Sequence, residues 1–147
     1  MQTLPWSLKL VFGFVSDAFP INGAHRKPYL AIGAVVYSLA FMYYGMSSIE
    51  HVVFLAASIC LGTVGLIQMD VMTDTMLVER SKFEKEAVKG QMQASCYSIR
   101  FFGGLVGAIA GTSVCNKDSW GWGLTYKQSS LLNGLIPFLI VIPWLFW

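Results

Sequence analysis

The chain of 147 residues is 55% hydrophobic and 12% charged, with a mean hydropathy of +0.58, whereas a soluble domain carries roughly 25% charged residues. This is the composition of a membrane protein, and a few spans of roughly 20 residues use up the length, leaving no room for a separate catalytic domain. A formal net charge of +2 lacks the strongly basic face of a nucleic-acid binder, and the three widely spaced cysteines, Cys60, Cys96 and Cys115, suggest neither a disulfide framework nor a zinc site and read as small buried apolar residues.

The pattern predicts one all-α membrane domain over 1–147 with about five transmembrane helices, at about 4–21, 29–46, 52–74, 91–114 and 129–147. The first run is broken by Lys9 and Asp17 and has its basic residues, Arg26 and Lys27, after the apolar stretch, the reverse of a signal peptide. Tyr29 to Met46 carries no charge and is long enough to cross the hydrocarbon core. The third run starts at Val52 and enters an acidic stretch at Asp70 and Asp74. No Gly or Pro lies between Leu66 and Lys89, so this helix is expected to continue past the membrane surface. Glu79 to Lys89 alternates Lys with Glu and reads as a solvated helical face with mutual ion pairs. The fourth run holds Arg100 and a ladder of Gly103, Gly107 and Gly111; Trp120, Trp122 and Tyr126 then suit a membrane interface, and the fifth run is still apolar at Trp147.

Basic residues are concentrated in alternate connectors, which sends runs one, three and five from outside to inside. Five spans with a bare amino terminus outside suggest part of something longer, with an upstream helix and a downstream portion expected to complete it.

Lys9, Asp70, Asp74 and Arg100 are the charges expected at membrane depth, where an ionisable group is tolerated mainly when it faces protein or a wet cavity. Asp70 and Asp74, four apart, share one helix face, with Thr63 and Thr73 near the same stripe. Arg100 lies on the order of 14 Å from the cytoplasmic edge and tilts toward the aspartates, so an Arg100 to Asp70 pair is expected, with Asp74 nearer the inner surface; the other reading places both aspartates at headgroup level. Lys9, a few residues from the outer end, either snorkels to the surface or lines a cavity. The ladder of Gly103, Gly107 and Gly111 makes a smooth face for close helix packing. His25 and His51 sit in connectors without metal-site spacing, and no nucleotide loop or nucleophile elbow occurs. No enzyme, metal or cofactor is implied.

Two stretches carry a resemblance. Pro5-Trp6-x-x-Lys9-x-x-x-Gly13-x-x-Ser16-Asp17-x-x-Pro20-x-x-Gly23-x-x-Arg26-Lys27-Pro28-Tyr29 resembles the second-helix signature of the folate-biopterin transporter family, a branch of the major facilitator superfamily. Asp70-Val71-x-x-Asp74-x-x-x-Val78-Glu79-Arg80 resembles its fourth-helix signature. The resemblance implies an incomplete major-facilitator-type amino-terminal bundle, helices two to six of roughly twelve, in a carrier of folate, pterin or a related small molecule driven by protons. It also implies a cytoplasmic gate of Gly13, Asp17, Arg26 and Lys27, extended to Glu79 and Arg80, in which Gly13 admits close helix approach one turn from Asp17. His25 stands where another basic residue is common, and Leu10 where proline is common.

The expected function is therefore a segment of a multi-pass secondary transporter, inactive alone, whose partners are its substrate, the bilayer and the missing helices. Lys9, Asp70, Asp74 and Arg100 are expected to line the substrate or proton pathway. The alternatives are a cation-coupled sugar or other solute symporter of the same superfamily, and a small non-transporting scaffold that associates through its glycine face.

Overall fold

A computed structural model describes residues 9–21, 26–46, 52–84, 88–114 and 121–146. The sequence readings on Pro5, Trp6, Gly23, His25, His51, Lys85, Glu86, Cys115 and Trp120 lie outside the described residues. The described structure is helical: α1 Lys9–Ala18, α2 Lys27–Met46, α3 Val52–Ser81, α4 Gln91–Val114 and α5 Tyr126–Phe146. Of these, α2 and α3 are long and apolar enough to cross a membrane. The chain forms two compact units, Met1–Thr73 with Lys127–Trp147, and Asp74–Tyr126.

Local chemistry explains the helices. Pro28 falls in the first turn of α2, where its missing N–H has no intrahelical partner to lose. The breaker-free run lets α3 extend for 30 residues, through both aspartates and on to Ser81. On α3 and α4 four hydroxyls are satisfied one turn back: Ser58 donates to the Phe54 carbonyl, Thr63 to Ile59, Thr73 to Met69 and Ser98 to Ala94. In α5, Pro137 and Pro143 each remove an N–H that would have reached the carbonyl four residues earlier.

The first unit is built on close backbone approach. A Cβ added at Gly65 would lie 2.7 Å from the Tyr37 nitrogen and 2.8 Å from the Gly33 carbonyl oxygen, and one added at Gly33 would lie 3.1 Å from the Gly65 carbonyl oxygen. The Phe41 ring fills the space over Gly62, with an atom 2.7 Å from where a Cβ would stand. On another side of α2, Gly45 meets Leu131 and Gly134 meets Met42 and the Ser38 carbonyl, while Ser130 donates to the Phe41 carbonyl at 2.9 Å. Glycines thus seat both α3 and α5 against α2. The buried cluster of Leu30, Ile67, Val71 and Met72 is joined by Phe12, Tyr29, Met69 and Val141.

The glycine ladder behaves differently from expectation. Nothing among the described residues lies within 4 Å of a Cβ built at Gly103, Gly107 or Gly111, and α4 buries no residue. A smooth face allows close packing only where a second helix is present to use it. The cysteine reading is also corrected: Cys60 and Cys96 are free and exposed rather than buried.

In the charged stretch at the end of α3, Glu79 and Arg80 are helical and exposed, as expected of a solvated helical face, while residues 82–84 turn away. The Glu84 carboxylate accepts from the backbone N–H groups of Gly90 and Met92, both at 2.7 Å. It satisfies donors that a helix amino terminus leaves orphaned, and places negative charge at the positive end of α4.

The two sets of glycines should respond oppositely to alanine. Gly65→Ala is expected to cost roughly 1–3 kcal/mol because a backbone must shift. Gly107→Ala should gain up to about 1 kcal/mol from helix propensity. Denaturant unfolding in detergent checks both.

Candidate functional site

Lys9 opens α1, and its Nζ donates to Asp70 Oδ2 at 2.8 Å; their side chains are 35% and 19% exposed. Asp70 stands about 27 Å along α3 from Val52 and about 16 Å from Ser81, so Lys9 is level with the interior of a long apolar helix. Lys9, for which snorkelling to the surface and lining a cavity are the two readings, meets Asp70 and stays partly exposed.

The neighbouring core holds this pair in place. Ile67, Val71 and Met72 flank Asp70 and are buried, which fixes the face that α3 turns inward. Gln68, also buried, donates from Nε2 to the Tyr29 carbonyl at 3.1 Å, and the Tyr29 hydroxyl donates to the Phe19 carbonyl at 2.7 Å, just beyond α1. Tyr29 therefore ties α2 to both α1 and α3.

In the second unit, Arg100 Nη2 donates to Asp74 Oδ1 at 3.1 Å, with the guanidinium carbon 5.8 Å from the centre of the Tyr97 ring. The expectation paired Arg100 with Asp70; the contact described for Arg100 is with Asp74. Asp74 takes Arg100 and Asp70 takes Lys9, because Asp70 points to the face of α3 that meets α1, a helix whose berth periodicity does not reveal.

At the other end of α1, Arg26 Nη2 lies 3.3 Å from Asp17 Oδ1; here the arginine is the more buried partner, at 16% exposure against 61%. Each charge is at the unfavourable end of its helix dipole, the aspartate in the last turn of α1 and the arginine just before α2. Their pairing offsets part of that cost. Lys27 is exposed at the start of α2, and Glu79 and Arg80 are exposed in the last turns of α3. The expectation that Gly13 admits a close contact is not met, since an added Cβ would meet Val71 Cγ1 at an ordinary 3.8 Å. The close approach is made by Gly33 and Gly65 instead, one residue on each helix, a juxtaposition no single-helix spacing announces.

A model of the BT1 family matches residues 1–125. The chain belongs to the BT1 family. The Lys9–Asp70, Asp17–Arg26 and Asp74–Arg100 pairs lie within the matched stretch, and the whole of α5 lies beyond it. The chain is similar to probable folate-biopterin transporter 4 of Arabidopsis thaliana, 30% identical over 109 residues that cover 73% of this chain and 22% of the relative. It is 29% identical to the folate-biopterin transporter of Synechocystis sp. over 112 residues, 72% of this chain and 21% of the relative. A shorter match, 42% identical over 43 residues, covers 29% of this chain and 8% of folate transporter 1 of Plasmodium falciparum. The aligned stretch thus spans about a fifth of the length of the first and second of these relatives. No solved structure matches.

The Lys9 and Asp70 side chains should be energetically coupled. A double-mutant cycle with Lys9→Gln and Asp70→Asn, read by unfolding in detergent, is expected to give a coupling of about 1 kcal/mol, between the values for exposed and for buried pairs.

Proposed function

We propose that this chain is part of a multi-pass secondary transporter for folate, pterin or a related small molecule, coupled to protons. In this reading its five helices correspond to helices two to six of a major-facilitator-type bundle. The observation that carries the proposal is the partly buried Lys9 and Asp70 pair along the apolar length of α3 in the first unit. A purely structural scaffold has no need of charges at that depth, and a pair that breaks and reforms can bias one conformation over another as its partners change. The names of the similar proteins, folate-biopterin and folate transporters, supply the substrate class.

Lys9, Asp70, Asp74 and Arg100 are assigned to the substrate or proton pathway. Asp17, Arg26 and Lys27 act as a cytoplasmic latch between α1 and α2, and Glu79 and Arg80 are charges at the cytoplasmic end of α3. The stretch does not transport by itself, because alternating access moves one repeat or bundle against another around a central site.

A chimera in which residues 1–125 replace the matching stretch of the Synechocystis relative tests the substrate. Labelled folate or pterin should be taken up and should not be displaced by sugars; uptake of a sugar instead would contradict the proposal. In the same chimera, Arg100→Gln is expected to abolish uptake while the amount inserted in the membrane is unchanged. Undiminished uptake would remove Arg100 from the pathway.

A further inference from the structure

The partners in the three ion pairs are not equally open. Lys9 is more exposed than Asp70, 35% against 19%, and Arg100 more than Asp74, 45% against 25%, whereas in the Asp17 and Arg26 pair the carboxylate is the open partner. Both aspartates of α3 are thus the sheltered members of their pairs, and the cations are presented. In the first unit, a presented Lys9 ammonium suits an anionic ligand.

Mobility points the same way for Lys9. Asp70 is a short side chain on a helix fixed by its buried neighbours Ile67, Val71 and Met72. Lys9 has a flexible four-carbon stem and an ammonium with three donors and no fixed plane, so it can turn from one carboxylate to another without geometric penalty.

Building on the transport reading above, we propose that Lys9 takes the carboxylate of the transported compound in exchange for that of Asp70, and so selects carboxylate-bearing folates over pterins without a carboxylate. During the exchange the ammonium is shared between both carboxylates. Only hydrogen bonds and an ion pair change hands, and Lys9 is paired throughout.

The test uses the chimera with the Synechocystis relative in lipid nanodiscs, with folic acid and biopterin as probes and site-resolved amine modification of Lys9 read by mass spectrometry. Folic acid should slow modification of Lys9 in the unaltered stretch and biopterin should not, a result that needs no variant. Lys9→Gln should weaken folic acid binding at least about tenfold, the worth of a hydrogen bond to a charged group, and leave biopterin binding unchanged, while Lys9→Arg retains folic acid. Asp70→Asn, which removes the competing charge, should tighten folic acid binding by roughly fivefold. The proposal is overturned, with the transport reading left standing, if Lys9→Gln shifts both probes alike or if Asp70→Asn weakens folic acid as much as Lys9→Gln does. If neither probe binds the chimera carrying the unaltered stretch, the transport reading falls and this proposal with it.

Discussion

The backbones of α2 and α3 approach each other at Gly33 and Gly65 with no room for a side chain on either, and the rest of the first unit depends on that contact. Apolar helices gain little from each other's hydrophobicity in lipid, so association rests on close packing and on interhelical hydrogen bonds. The glycines supply the first and Gln68 the second, by reaching the Tyr29 carbonyl across the same seam. With α2 and α3 in register, the Tyr29 hydroxyl meets the carbonyl of Phe19 just past α1. That seats α1 alongside, and Lys9 arrives opposite Asp70.

Charge then follows packing. Asp17 and Arg26 each stand where the dipole of their own helix disfavours them, and they offset this by pairing between helices rather than within one. Asp70 and Asp74 are one turn apart on α3, yet they take different partners from different helices, Lys9 of α1 and Arg100 of α4. One helix therefore carries two carboxylates that meet cations from two different helices.

Much of this was legible in the residues. The starts and ends of α2 and α4 follow from Pro28, the uncharged run and the polar connectors, and the extension of α3 to Ser81 from the absence of Gly and Pro. The four embedded charges stand out against apolar surroundings. Other features did not declare themselves. The regular spacing of Gly103, Gly107 and Gly111 drew attention to a face that meets nothing among the described residues, while Gly33 and Gly65, on different helices, make the close contact. Spacing within one helix says which residues share a face, and nothing about whether another helix comes to that face. Glu84 looked like one more charge in an alternating run, and its capping of Gly90 and Met92 depends on a turn that charge pattern does not encode.

By itself the sequence determined that the chain is helical and suited to a membrane, that Lys9, Asp70, Asp74 and Arg100 require partners, and, through its paired signatures, the family. These are properties of composition, local geometry and the cost of charge in hydrocarbon, each readable from one segment at a time. Only the tertiary structure decided that Lys9 goes to Asp70 and Arg100 to Asp74, and that α2 and α3 meet at Gly33 and Gly65. Those outcomes depend on the relative rotation and depth of separate helices, which are set by contacts between residues far apart in the chain.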